Sequence, residues 1–223
     1  MGITIKWLAH ASFQVVAAGR NIYFDPSTKG TNLKEKDFSP ADLILVSHGH
    51  DDHFDKGLIK KIRKGGSPVI ASDALKKEIG FGVFPVNPGG FMQLGSGEKV
   101  IALDAYNMKR FRSPGKPFHP KGEGAGYILE VAGKKIYHAG DTDLVPEMAG
   151  LAERNIDVAL LPAGDTFTMD MKEAAEAALL IKPKVAIPMH TKGADPQAFK
   201  AAVEAKSGIK AVILAPGGTF QLD

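Results

Sequence analysis

His48-Gly49-His50-Asp51-Asp52-His53 follows directly on the apolar run Leu43-Ile44-Leu45-Val46-Ser47. Three of the seven histidines fall within these six residues, with Asp52 beside the last of them. A solvated polar turn needs no imidazole, so turn chemistry alone does not account for this density. A metal-binding loop at the end of a buried strand does. His48 and His50 are two apart, so in an extended segment they project to the same side and can clasp one ion. Gly49 between them lets the backbone approach closely. Asp52 and His53 are adjacent, diverge, and suit a second ion.

Other apolar runs end in polar residues in the same way. Ile22-Tyr23-Phe24 ends at Asp25, and Ile136-Tyr137 runs into His138-Ala139-Gly140-Asp141. Ala159-Leu160-Leu161 leads to Gly164-Asp165, and Ala186-Ile187-Pro188-Met189 ends at His190. Strand ends along one sheet edge fix the backbone while side chains point into a common cleft. Asp141, from a separate strand end, can bridge two ions, and His190 can complete the second. Each residue also has a plainer reading. Asp25 before Pro26 can initiate a turn, and His138 can pack or hydrogen-bond. Asp165 and Thr168 can serve as loop and helix-cap residues. Imidazole with carboxylate suits Zn²⁺, Mn²⁺ or Fe. Two such ions about 3.5–4 Å apart would hold a bridging hydroxide, the natural nucleophile for hydrolysis.

The remaining pattern is α/β. Ile3–Trp7, Ser12–Val16 and Asn21–Phe24 read as strands, with a turn at 17–19. A helix is expected over 55–64, with Leu58, Ile59 and Ile62 at helical spacing, then a strand Val69–Ala71 and a short helix Asp73–Ile79. Residues 107–124 read as a loop, because Pro114, Gly115, Pro117, Pro120, Gly122 and Gly124 oppose a regular element. The strands Gly126–Val131 and Lys135–Tyr137 follow in hairpin style. Alternating elements complete the chain: strand Val158–Leu161, helix Met171–Ile181, strand Val185–Ile187, helix Pro196–Lys206 and strand Ala211–Leu214. Both halves run from β-meander to alternating β and α, which suggests two sheets with helices outside and a weak pseudo-repeat.

Composition narrows the setting. The 223 residues favour one domain, 1–223, and 44% apolar residues suffice for a substantial core. A net charge of +3 is too mild to imply nucleic acid. No cysteine is present, so thiolate metal sites and disulfides are excluded. The first residues, Met1-Gly2-Ile3-Thr4-Ile5-Lys6, lack the layout of a signal peptide, and no apolar run approaches the ~20 residues of a membrane span. The expectation is a soluble cytoplasmic protein, with homo-oligomerisation left open.

Taken together, the H-x-H-x-D-H run, Phe24-Asp25-Pro26, His138-Ala139-Gly140-Asp141-Thr142 and Pro188-Met189-His190 resemble the metallo-β-lactamase superfamily, in order across nearly the whole chain. Trp7-Leu8-Ala9-His10-Ala11-Ser12-Phe13 and Gly164-Asp165-Thr166-Phe167-Thr168-Met169 resemble its small single-domain branch. That branch is similar to ascorbate-6-phosphate lactonase and, more distantly, to phospholipase D-type enzymes acting on N-acyl-phosphatidylethanolamine. The resemblance implies a four-layer αββα sandwich with a dinuclear site. It implies that His48 and His50 bind the first ion, Asp52, His53 and His190 the second, that Asp141 bridges, and that Asp25 orients the loop.

One position departs from the family. Where a third histidine is usual for the first ion, Ala105-Tyr106 is followed by Asn107. His119 and His10 are the candidates to compensate, His119 ahead, and Asn107 itself is expected beside the ligands rather than among them. Either histidine could instead protonate a leaving group, and Asp52 could orient the nucleophile. Lys109, Arg110, Arg112, Lys116 and Lys121 gather in the loop around His119. They read either as a solvated loop or as a lid attracting an anion. The expected function is a metal-dependent hydrolase of an ester, lactone or phosphodiester in a small anionic molecule. The alternatives are an RNA-processing nuclease of the same superfamily, for which 223 residues leave no inserted domain, and a non-catalytic metal-binding or sensing protein.

Overall fold

A computed structural model of the chain describes residues 2–80 and 82–223; Met1, where the reading of the N-terminus begins, and Phe81 lie outside them. The chain divides into two compact units, Met1–Asn87 with Leu214–Asp223, and Pro88–Ile213.

The first unit begins with an antiparallel meander of β1 (Ile3–Ala9), β2 (Ser12–Ala17) and β3 (Arg20–Phe24). Ala18 and Gly19 turn β2 into β3 with φ of +50° and +75°, the left-handed pair that a two-residue hairpin requires. The parallel strands β4 (Leu43–Leu45), β5 (Val69–Ala71) and β6 (Val83–Pro85) then add to β3 in turn. The strand Thr219–Leu222 pairs antiparallel with β1 and completes a seven-stranded sheet. Parallel neighbours need crossovers, which α1 (Lys56–Ile62) and α2 (Asp73–Ile79) help to make. Asp55 starts α1 by accepting from the Leu58 N–H. Leu58, Ile59, Ile62, Leu75 and Ile79 pack with Tyr23, Ile44, Val46 and Val69 in one core. Ile22, Leu43, Leu45 and Ile70, alternating with these strand residues, are buried as well. A sheet covered on both faces has no polar face to alternate with, which is why Leu43–Val46 is continuously apolar.

The second unit repeats this plan. β7 (Phe91–Gln93) and β8 (Lys99–Ala105) precede a separate hairpin of β9 (Phe111–Ser113) and β10 (Lys116–Pro117). β11 (Gly124–Val131) and β12 (Lys134–His138) continue the antiparallel part. β13 (Val158–Pro162), β14 (Val185–Met189) and β15 (Lys210–Ala211) add in parallel to give the second seven-stranded sheet. α3 (Met171–Ile181) starts in a capping box between Asp170 and Glu173. With α4 (Gln197–Glu204) it packs Ala174, Ala178, Ile181, Phe199 and Val203 onto Tyr137, Ala159, Leu161 and Ala186. Each unit thus supplies one β layer and one α layer, the inventory of the expected α/β fold, and both follow the order of meander first and parallel strands after.

Three points depart from the sequence reading. The strand expected over Ala211–Leu214 is confined to Lys210–Ala211. Residues 107–124 are not wholly irregular, since β9 and β10 form within them. Pro114-Gly115 is the turn of that hairpin, with Gly115 at φ +73°, so these residues punctuate two strands rather than abolish them. Pro146–Arg154, unassigned from sequence, is a 3-10 segment. It buries only Met148 and Leu151, three apart as a three-residue turn demands, which leaves no α-helical stripe to read.

Candidate functional site

In the first unit the ligand candidates are organised from Asp25. Asp25 leaves β3 with φ +45°, and its carboxylate is almost wholly buried at 1% exposure. It accepts the Ser47 N–H at 2.7 Å, the Ser47 hydroxyl at 2.6 Å and His53 Nδ1–H at 2.7 Å. With its own proton given to Asp25, Ser47 Oγ is left to accept from His48 Nδ1, 3.0 Å away. A carboxylate can only accept, so the His53 proton sits on Nδ1, and the Ser47 relay places the His48 proton there too. In both rings Nε2 therefore carries the lone pair. His48 Nε2 lies 3.1 Å from His50 Nδ1, and the His48 and His53 ring centres are 4.1 Å apart.

His10 leaves β1 with φ +52°. Its Nε2 is 3.0 Å from Asp52 Oδ2, and its ring meets that of His53 edge-on at 5.5 Å. The Trp7 indole N–H holds the His10 carbonyl at 2.8 Å. Asp52 and His10 thus belong to one polar group with His53. Gly49 has a different reason from the one expected. A Cβ there would come within 2.8 Å of Leu75 Cδ2 on α2, so the glycine lets the loop lie against that helix.

The second unit resolves the role of Asn107. Its Oδ1 accepts both the His119 backbone N–H and His119 Nδ1–H, each at 2.8 Å, while its Nδ2 donates to the Phe167 carbonyl at 2.9 Å. A backbone donor on one side and a backbone carbonyl on the other fix which way the amide faces. The His119 proton is thereby held on Nδ1, and Nε2 is turned to Asp141 Oδ2 at 3.4 Å. His190 leaves β14 with φ +52° and brings its own Nε2 within 3.2 Å of the same oxygen. Gly164 makes room for this: a Cβ there would lie 2.2 Å from the His190 carbonyl oxygen and 2.9 Å from its Nδ1. His138 is fully buried, and its Nδ1 accepts the Gly140 N–H at 3.2 Å. It shapes the turn that carries Asp141.

His10, Asp25 and His190 are strand-end residues with left-handed backbones, a conformation uncommon outside glycine that concentrates where a side chain must be re-aimed. The ring nitrogens of His48, His53 and His119 are each oriented by a protein acceptor on the opposite nitrogen. That is the outer-shell arrangement of metal-binding histidines, and the neutral imidazole and carboxylate donors fit a divalent ion of the Zn²⁺, Mn²⁺ or Fe class.

The basic loop is more committed than its sequence suggests. Arg110, only 12% exposed, pairs with Asp143 at 2.6 Å, Glu173 at 2.7 Å and Asp165 at 3.1 Å. Burial works against its charge, but the hydrogen bonds and charges of Asp143 and Glu173 prevail and raise its pKa further. Lys109 bonds Glu173 at 2.7 Å, and Lys121 bonds Glu147 at 2.6 Å while lying over the Tyr106 ring. Arg112 lies over the Phe118 ring at 5.6 Å. Most of the charge expected to meet an anion is spent on neighbouring carboxylates and rings. Sequence reasoning missed Asp143 and Glu173, and it marked Gly164 without finding its steric reason. The one available signal was the second acid of Gly140-Asp141-Thr142-Asp143.

Among the described residues no helix is long and apolar enough to cross a membrane. A family model described as β-lactamase superfamily domain matches residues 4–190. The chain is 38% identical to a UPF0173 metal-dependent hydrolase of Pyrococcus furiosus, over 99% of this chain and 100% of that one. It is 37% identical to the corresponding protein of Pyrococcus abyssi, again over 99% and 100%. Among solved structures it is similar to Igni18, a metallo hydrolase of the archaeon Ignicoccus hospitalis, with a TM-score of 0.84 at 28% identity over 100% of this chain and 99% of that one.

Proposed function

The chain belongs to the β-lactamase superfamily domain family, and on that premise we propose that it is a metal-dependent hydrolase acting on an ester, lactone or phosphodiester. The observation that carries this reading is the hydrogen bonding of three histidine rings, from which their tautomers follow. Nδ1 of His48, His53 and His119 is occupied by Ser47, Asp25 and Asn107, which leaves each Nε2 as a donor atom. Any buried histidine pairs its ring N–H; what favours metal ligands here is that three such rings, each bonded through Nδ1 to a protein group, stand in one chain with acidic neighbours and the family match. The ligand residues are His48, His50, Asp52 and His53 in the first unit, and His119, Asp141 and His190 in the second. His119 is the third histidine that the family pattern calls for and that Asn107 does not supply. The family match spans residues of both units, which supports reading residues 1–223 as one hydrolase domain.

Two divalent ions, Zn²⁺ by preference and Mn²⁺ or Fe otherwise, would supply an acidified water and Lewis acidity toward the electrophilic oxygen. The residues of the chain do the rest. Asp25, Ser47 and Asn107 hold the imidazoles in their donor tautomers, so the Nδ1 side of each ring is already set when an ion arrives. His10, against Asp52 in a part-buried position, is placed to pass a proton to a leaving group. Asp52 in turn orients His10. The substrate is a small anionic molecule. Within the basic loop Arg110 is the residue least suited to meet it, because three carboxylates hold it. A chain without cysteine is compatible with the cytoplasmic setting expected from its sequence.

The test is hydrolysis of a panel of carboxylic esters, lactones and phosphodiesters by the metal-stripped protein before and after Zn²⁺ or Mn²⁺ is restored. Turnover that returns with metal is expected. Metal binding with no metal-dependent turnover on any member would contradict the proposal and leave a binding or sensing protein.

A further inference from the structure

Asp143 lies outside every ligand group described above, yet it is fully buried at 0% exposure. Its Oδ2 accepts the backbone N–H groups of Met108 and Lys109, each at 2.7 Å, and its Oδ1 accepts Arg110 Nη1 at 2.6 Å. Its own N–H donates to the Tyr106 carbonyl at 2.9 Å. Beside it, Thr142 Oγ1 donates to the same carbonyl at 3.1 Å and accepts the Tyr106 N–H at 3.2 Å. Residues 106–110 are thus stitched to the turn that carries Asp141. The residue in the middle of that stitched segment is Asn107, whose amide sets the His119 ring. Arg110 closes the arrangement by reaching Glu173, the first-turn acid of α3, and Asp165.

We propose that Asp143, with Arg110 as its counter-ion, is a positioning residue that fixes His119 Nε2 relative to Asp141. This rests on the reading of His119 and Asp141 as metal ligands. One turn holds both members of the pair: Asp141 directly, and His119 through Asp143, the 106–110 backbone and Asn107. A single buried carboxylate therefore sets the separation of two ligand atoms that are 22 residues apart in sequence. Arg110 is then a strut within the fold and not a contact for an anionic substrate.

The chemistry makes the residue sensitive to near-isosteric change. In Asp143→Asn one end of the side chain becomes a donor. It must face either the two backbone N–H groups or Arg110 Nη1, all of which are donors. The strain falls on the segment that presents Asn107.

The experiment uses the full chain, stripped of metal and titrated with Co²⁺, with ¹⁵N NMR of the histidine rings in the metal-free protein. Asp143→Asn, Arg110→Met and Arg110→Lys are compared with His119→Ala. Asp143→Asn and Arg110→Met are expected to weaken Co²⁺ binding by about 10–100-fold, the usual span for residues that orient metal ligands. They are also expected to replace the single Nδ1–H tautomer of His119 by a mixture, and Arg110→Lys to restore part of both. For a hydrolysed ester, kcat should fall while the preference for anionic over neutral substrates stays as in the wild type. Should Asp143→Asn not fold, the two Arg110 variants carry the test. Loss of Co²⁺ affinity in His119→Ala with wild-type affinity and tautomer in the Asp143 and Arg110 variants would overturn the inference alone. So would an Arg110→Met defect confined to the KM of anionic substrates. Unchanged Co²⁺ binding in His119→Ala would overturn the reading of His119 as a ligand, and with it this one.

Discussion

Four of the ligand candidates in the first unit lie within six consecutive residues, 48–53, whereas the three of the second unit, His119, Asp141 and His190, come from three separate segments. Both units meet the same physical requirement, neutral imidazoles with a defined lone pair beside a carboxylate, but they meet it at different ranges. In the first, Asp25 and Ser47 sit at the ends of neighbouring parallel strands β3 and β4, so the sheet itself brings the orienting carboxylate to the loop. In the second, the orienting group is Asn107, twelve residues before the ring it holds. It is kept in place by backbone bonds to Phe167 and by the turn after β12. A ligand loop fixed by strand pairing is robust. One fixed through a chain of side-chain hydrogen bonds depends on every link.

The largest effect is expected where a ligand itself is lost. His48→Ala in the first unit and Asp141→Ala in the second should each lower metal-dependent turnover by more than about 100-fold, beyond what changes in orienting residues cost. Steady-state kinetics at saturating Zn²⁺ or Mn²⁺ would check this, and a variant that kept most of its activity would remove its unit from the comparison. Asp25→Ala should cost both metal affinity and stability. It strands the Ser47 N–H, the Ser47 hydroxyl and His53 Nδ1–H in a buried site, worth about 1–3 kcal/mol for a buried unsatisfied group. Urea unfolding of the metal-free protein would read the stability part separately.

Gly164→Ala probes the second unit's dependence on backbone fit. The added methyl would have to displace His190, because it would lie 2.2 Å from the His190 carbonyl oxygen. A stability loss of about 1–3 kcal/mol is expected, together with weaker metal binding. Thermal melts with and without Zn²⁺ should show the metal-induced rise in Tm shrinking in this variant, and an undiminished rise would mean that His190 is not a ligand.

The smallest effect concerns the ion pairs behind the second unit's loop. Burial alone would raise the Glu173 pKa, but hydrogen bonds from Lys109 and Arg110 outweigh it and hold the carboxyl below its ordinary value of 4.5. A depressed folded-state pKa means that the pair stabilises the protein above that ordinary value and stops doing so as pH falls through the lowered one. Glu173→Gln should therefore lower Tm near neutral pH, by at most about 1 kcal/mol in stability after solvent screening. Its Tm should converge with the wild type in strong acid. Equal Tm differences at all pH values would show that packing, not charge, is responsible.

The same difference in range explains what the sequence made legible. The His48–His53 loop and the strand-end residues Asp25, Asp141 and His190 carry their meaning in local spacing; they follow β4, β3, β12 and β14, and the helix Met171–Ile181 forms over the residues expected. Asn107 is legible only in part. A place beside the ligands could be expected of it, but what its amide does there shows only when its two faces are seen bonded to His119 and Phe167. Arg110 likewise reads as a free cation, because its partners Asp143, Asp165 and Glu173 lie 33 to 63 residues further on and are joined to it only by tertiary contact. Gly164 stood out in its motif but not for its contact with His190, and Asp143 gave almost no signal, since a missing side chain and a buried carboxylate reveal their purpose only through their neighbours.

The account stands most directly on His119 as the metal ligand that Asn107 holds in readiness. A crystal structure of the Zn²⁺-loaded protein, with the ions located by anomalous scattering at the zinc edge, measures this. The account predicts an ion roughly 2.0–2.2 Å from His119 Nε2, the ordinary zinc–imidazole distance, with Nδ1 still bonded to Asn107. Ions bound by the other histidines with His119 Nε2 outside the coordination sphere would contradict it.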